Sequence, residues 1–328
     1  MRTRAIGSAG PEVSEVGLGA WQLGSDCWGD VSDGQAERIL RRAVEGGVTF
    51  IDTADVYGGG RSEERIGRFL KGRSEDIFVA TKFGRGGGLY PDNYTYDAIR
   101  KCTEGSLQRL EVDALDLTQL HCIPAQVMRD GEVFEHLRRL RREGKIRRFG
   151  ASVESMDEAL LCLEQDGLAS LQIIFNIFRQ KPIDVLFEKA KAAGVAIIVR
   201  LPLASGLLTG KFAKDTTFAE NDHRRFNEDG ASFNVGETFA GLGLAKGVDL
   251  ADKLKPLAPA NMTMAQMAIR WVLDFDAVSV VIPGASRAEQ VDANATASDL
   301  APLGEKLHKE LRAFYEREEI EKHIRGPY

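Results

Sequence analysis

Eight short apolar runs rich in β-branched residues recur along the chain, at 16–19, 48–52, 77–82, 115–121, 146–152, 171–175, 195–199 and 278–282. Segments of helical period separate them. In residues 35–46, Ala36, Ile39, Leu40, Ala43 and Val44 form one apolar stripe, and Val133, Phe134, Leu137 and Leu140 form another in 130–143. Glycines stand where several of these helices should end, at Gly46-Gly47, Gly144 and Gly194. Parallel strands cannot be joined by tight turns, so this alternation means a parallel sheet with helices as crossovers. Eight repeats without a linker predict an α/β fold, a (β/α)8 TIM barrel built as one domain over residues 1–328. The rival is a doubly wound sheet, which announces its dinucleotide site by GxGxxG after a strand. Both candidate motifs miss the last glycine: Gln22 follows Gly17 and Gly19, and Leu89 follows Gly84 and Gly86.

Three segments fall outside the alternation. Residues 4–6 and 13–16, joined through 7–11, predict an N-terminal β-hairpin able to plug the bottom of the barrel. The stretch 204–236 has little helical period and many polar residues, Asn221-Asp222-His223-Arg224-Arg225 among them. A loop that long is more often functional than connecting, and it follows the seventh strand, on the catalytic face. Extra C-terminal helices and loop follow the eighth strand.

In barrels of this kind the C-terminal strand ends build the active site. Asp52 closes the second run, Lys82 the third and His121 the fourth, and Tyr57 lies five residues past Asp52. Each alone has an ordinary explanation: an approach turn, a solvated lysine, a hydrogen-bonded core histidine. On adjacent strand ends they form a group suited to reducing a carbonyl, which needs hydride on carbon and a proton on oxygen. A tyrosine at its reference pKa of ~10 is a weak acid, and a nearby ammonium lowers that value. Lys82 can supply the charge, Asp52 can hold Lys82, and His121 can donate a hydrogen bond to the substrate oxygen.

The chain resembles the aldo-keto reductase superfamily in Phe50-Ile-Asp-Thr-Ala-Asp-Val-Tyr-Gly58, in the stretch from Ser106 to His121, and in Gly144-Lys-Ile-Arg-Arg-Phe-Gly-Ala-Ser152. Pro202-Leu-Ala-Ser-Gly-Leu-Leu-Thr-Gly-Lys211 and Ile282-Pro-Gly-Ala-Ser-Arg-Ala-Glu-Gln290 continue the likeness in the family's order. The resemblance implies a catalytic tetrad at Asp52, Tyr57, Lys82 and His121. It also implies an extended NADP cofactor across the barrel mouth. Gly19, Ala20, Trp21 and Asp52 would approach the nicotinamide end, and Ser152 and Gln172 its carboxamide. Pro202, Leu203, Ser205 and Gly206 would border the pyrophosphate. Gly284, Ala285, Ser286, Arg287, Gln290 and Asn294 would surround the adenosine and its 2′-phosphate, with a helix start near Ser286 adding donors. The family pattern is broken at Val153, where an Asn is usual, at Ala293, where a Glu is common, and at Arg200, which replaces an aromatic that stacks on nicotinamide. A planar guanidinium can stack or reach the pyrophosphate instead.

Trp21, Trp28, Phe83, Tyr90 and Tyr94 follow the first and third runs and are expected to wall a substrate pocket with Tyr57 and His121. Such a pocket suits a modest, partly apolar aldehyde or ketone, or a sugar ring. Two rivals remain, a lyase forming a Schiff base through Lys82 and a non-enzymatic, cofactor-binding regulatory subunit. A short-chain dehydrogenase would need Lys four residues after a Tyr, a spacing that does not occur.

The net charge of −6 argues against a general nucleic-acid or anionic-membrane partner. The basic run from Arg138 to Arg148 reads as a helix end whose cations complement the dipole. Cys27, Cys102, Cys122 and Cys162 show no CxxC spacing, and no apolar run follows Met1-Arg-Thr-Arg4 or approaches ~20 residues. A cytoplasmic protein with reduced thiols and no membrane segment is expected. No metal is expected either: of five histidines only His121 sits at a strand end, without HxH or HExxH spacing.

Overall fold

The computed structural model describes every residue except Ala9, Asp26 and Gly87. Parts of the expected hairpin connection and of the 84–89 stretch therefore lie outside the described residues. Strands β1 (Thr3–Ala5) and β2 (Glu12–Ser14) pair antiparallel, with Thr3 opposite Ser14. Eight further strands follow: β3 (Leu18–Gly19), β4 (Phe50–Asp52), β5 (Phe78–Phe83), β6 (Leu117–His121), β7 (Phe149–Ser152), β8 (Leu168–Ile174), β9 (Ala196–Arg200) and β10 (Val278–Val281). They run parallel in chain order. Beside β3 and β10 the ring closes: Gly17 N donates to Val281 O at 2.8 Å and Val281 N to Glu15 O at 2.9 Å. The (β/α)8 barrel is thus the fold, with each strand overlapping its predicted run and the bounds shifted by up to three residues.

Helices form where the apolar stripes lie. Asp33–Glu45 starts at Ser32, whose side chain accepts from Gln35 N, and buries Ala36, Ile39, Leu40 and Ala43. Glu132–Arg142 buries Val133, Phe134, Leu137 and Leu140 against the barrel. After β9 the chain adds the helices Leu244–Leu254 and Met264–Leu273, and after β10 the long helix Gly304–Arg317.

The inner face of the strands positions the site. Side chains two apart share a face, so each strand continues upward from the residue that packs the floor. Phe50, Phe78, Ala80, Leu117, Ala196, Ile198, Val280 and Ile282 form one buried cluster, into which the hairpin inserts Ile6 and Val13. The next inward position on four of these strands is Asp52, Lys82, Gln119 and Arg200, and His121 stands two beyond Gln119. The barrel is apolar at its floor and ionisable at its mouth. That gradient sets up the site.

Candidate active site

Lys82 is buried at the mouth end of β5, with all three of its donor positions in use. Its Nζ donates to Asp52 Oδ1 at 2.6 Å, to the Thr53 carbonyl at 2.8 Å and to the Tyr57 hydroxyl at 3.3 Å. The other Asp52 oxygen accepts from Gln172 Nε2 at 2.7 Å. Burial alone would push Lys82 down, but Asp52 and then Tyr57 more than restore it, so the ammonium stays charged above its ordinary value. Burial raises the Asp52 carboxyl, and Lys82 pulls it back. Tyr57 departs from expectation. The residue is only partly buried, yet burial raises the phenol above its ordinary value, with Lys82 offsetting only part. Lys82 acts in the expected direction; the net shift is the opposite.

His121, at the end of β6, packs its ring edge-on against Tyr57, with centroids 5.8 Å apart. Burial, reinforced by Arg85, Lys82 and Arg200, holds its imidazole well below the ordinary value. A neutral ring keeps one N–H to donate, and Nδ1 is buried without a partner among the described residues.

Two cavities meet at these residues. The first, of about 370 Å3, runs from Gly19, Trp21, Asp52 and Gln172 past Arg200, Pro202, Leu203, Ser205 and Gly206 to Gly284, Ser286, Arg287 and Gln290. Ala20, Ser152, Ala285 and Asn294 are buried behind this wall. The Ser152 hydroxyl sits 3.7 Å from Cys122 Sγ, and Asn294 Nδ2 donates to Gly284 O at 3.4 Å. Four cations, Arg200, Lys211, Arg224 and Arg287, line the cavity against two carboxylates, Asp52 and Glu237. Arg287 is exposed and makes no ion pair with a described residue. The expected backbone donors are engaged: Ser286 N and Arg287 N both donate to Gln290 Oε1, at 2.8 and 3.2 Å. Gln290 caps this helix start, so a ligand would meet the Arg287 side chain before those amides.

The second cavity, of about 430 Å3, is walled by Trp21, Tyr57, Tyr90, His121 and Phe233. Trp21 stacks on Tyr57 and meets Trp28 edge-on at 5.6 Å; Trp28 lines the first cavity. Phe83 corrects an expectation. It is the last residue of β5 rather than part of a loop, so it must point opposite to Lys82, and it is buried in the core outside the barrel. Tyr94 is buried as well, its hydroxyl donating to Gly84 O at 3.0 Å.

Residues 15–316 match the model of the Aldo/keto reductase family. The chain belongs to that family. An aldo-keto reductase of Strobilurus tenacellus, str7, is 32% identical over 97% of this chain and 93% of that one. An aldo-keto reductase of Schizosaccharomyces pombe whose name carries NADP(+) is 28% identical over 97% and 92%. Among solved structures, a glycerol dehydrogenase of Gluconobacter oxydans superposes with a TM-score of 0.78 at 29% identity, covering 99% of this chain and 97% of its own.

In this aldo-keto reductase the sequence reading missed one central group, Glu237, just beyond the long loop as it was drawn. Its carboxylate pairs with Arg85, at 3.2 Å to Nη1 and more closely to Nη2, and with Arg200 Nη1 at 3.3 Å. Burial would raise Glu237, but Arg85 and Arg200 reverse this and bring it down to about 2. Arg85 also holds Glu154 at 2.9 Å. Arg200 therefore neither stacks nor reaches outward here; it is turned to Glu237 and to the Val153 carbonyl at 3.3 Å. Cys122, Glu154 and Glu237 cluster like metal ligands, but both carboxylates already have guanidinium partners. The segment carrying Phe233 and Glu237 is braced by Arg325, which bonds Asp229, Glu228 O and Gly241 O. A polar run was visible in this loop, but no signal marked its partners. Among the described residues no helix is long and apolar enough to cross a membrane.

Proposed function

We propose that this chain is an NADPH-dependent reductase of small aldehydes, ketones or sugars, with Asp52, Tyr57, Lys82 and His121 as its catalytic group. The observation that carries the reading is the unbroken chain from Asp52 through Lys82 to the Tyr57 hydroxyl, with neutral His121 packed on the Tyr57 ring. NADPH, when bound, supplies the hydride that reaches the carbonyl carbon. The cationic lining of the first cavity suits a long polyanionic cofactor. Gly19, Ala20, Trp21, Ser152 and Gln172 would hold its nicotinamide end. Pro202, Leu203, Ser205 and Gly206 would border its pyrophosphate, and Gly284, Ala285, Ser286, Arg287, Gln290 and Asn294 would hold its adenosine phosphate. Tyr57 gives its proton to the carbonyl oxygen, and Lys82 stabilises the tyrosinate left behind. Asp52 keeps Lys82 charged and in place. His121 donates to the same oxygen and steers it toward Tyr57.

A Schiff-base lyase is disfavoured, since it needs a neutral, free amine and Lys82 is charged with every donor engaged. The test is NADPH absorbance with a panel of aldehydes, ketones and sugars. Tyr57→Phe should lose at least ~10²-fold in kcat, the low end for removing a general acid, while binding NADPH normally. Wild-type turnover in that variant would discard the assignment.

A further inference from the structure

Four residues line both cavities: Trp21, Tyr57, His121 and Glu237. Tyr57 and His121 belong to the proposed catalytic group and Trp21 stacks on Tyr57, whereas Glu237 has been given no part in the reaction. Glu237 sits between Arg85, which lines the substrate-side cavity, and Arg200, which lines the cofactor-side one. We propose that Glu237 determines substrate charge: by engaging both guanidinium groups it makes the site accept neutral carbonyl compounds and refuse carboxylated or phosphorylated ones. The proposal rests on the reductase reading and deepens it.

The charges of the cluster balance. Arg85 and Arg200 are answered by Glu154 and Glu237, whose side chains are 22% and 5% exposed. His121 adds no charge. An unanswered guanidinium facing a partly dry cavity is a fork-shaped receptor for carboxylate or phosphate. With its charge spent on two glutamates it is not, and an arriving anion meets their repulsion as well. Glu237 is itself fixed: its backbone N–H donates to Asn234 O at 2.9 Å, and its carbonyl accepts from Ser205 Oγ at 2.9 Å. The donors left over suit uncharged oxygen. Asn234 lines the substrate-side cavity, and its Nδ2 is buried without a partner among the described residues; Ser232 lines the same wall. A hydroxyl or carbonyl oxygen would satisfy that amide.

The test compares succinate semialdehyde with 4-hydroxybutanal, which have the same length and differ in the charge of the far end. The wild type should favour the neutral aldehyde in kcat/KM. Glu237→Gln leaves the cluster with one excess positive charge and should raise the anionic-to-neutral ratio about 10- to 100-fold, the span of one charge-assisted hydrogen bond. Adding Arg85→Gln should return the ratio toward wild type. Should Glu237→Gln fail to fold, Glu154→Gln removes the other negative charge from a more exposed position and should shift the ratio the same way. An unchanged ratio in the folded variants, or a wild type that prefers the anion, overturns the proposal. A second readout needs no turnover: succinate should raise the Tm of Glu237→Gln by more than it raises that of the wild type, with sodium chloride at equal ionic strength as control. A wild type that reduces neither aldehyde sinks the reductase reading, and the Tm comparison still decides the role of Glu237.

Discussion

Replacing Lys82 by Met removes three hydrogen bonds and one charge while filling much of the same space. Among the described residues, the Asp52 carboxylate then keeps only the bond from Gln172. Breaking a buried ion pair by deleting one partner costs ~3–5 kcal/mol, because the other charge is left uncompensated. Here the orphan can escape by taking a proton. Burial already raises the Asp52 carboxyl, and Lys82 is the chief group pulling it back, so in the variant it rises further. The folded state then binds a proton that the unfolded chain releases above ~3.9, so stability falls as pH rises through the raised folded value. The slope approaches about 1.4 kcal/mol per pH unit inside that window. Urea unfolding followed by tryptophan fluorescence at pH 5 and pH 8, with wild type in parallel, measures it. The deficit of Lys82→Met should be clearly smaller at pH 5. An equal deficit at both values, or one below ~1 kcal/mol, would refute the view that Lys82 is the chief compensator of Asp52.

Arg287→Ala should weaken NADPH by roughly 1.5–3 kcal/mol, about 10- to 100-fold, and leave NADH nearly unchanged; fluorescence titration of both cofactors checks this, and equal weakening of the two removes Arg287 from the phosphate site. His121, held well below its ordinary value, and His223, held at about 4, refuse protons that the unfolded chain accepts below ~6.5. Stability should therefore fall as pH drops through that value, and His121→Gln should flatten the slope in thermal melts between pH 7 and 5. Phe83→Ala should cost ~3–5 kcal/mol in unfolding free energy with KM for a small aldehyde unchanged; a large KM effect would return Phe83 to the substrate wall.

The strands were legible because burial on both faces forces continuous apolar runs, and a charged residue ending such a run stands out. That is why Asp52, Lys82 and His121 are legible in the sequence alone. Phe83 was misread because β5 runs one residue further than its apolar signal, and a single residue decides which face a side chain takes. The shift of Tyr57 was misjudged because the sequence names the neighbouring ammonium but not the depth of burial that opposes it. Glu237 was illegible for another reason. It ends a 3-10 turn, Val235–Glu237, with no period to read, and its Arg85 partner lies 152 residues away.

The seam where the ring closes, between the chain near Val16 and near Val281, has a consequence during synthesis. A ribosome emits the N-terminal strands first, at ~5–20 residues per second, so β3 waits on the order of tens of seconds for its last neighbour. Throughout that interval the nascent sheet has two open edges, each a template for pairing with another chain. The short length of β3, two residues, limits what such an edge can capture. Polysomes crowded with half-made chains are where this protein is most exposed to aggregation, and a chaperone that masks the edge near Val16 would protect it there.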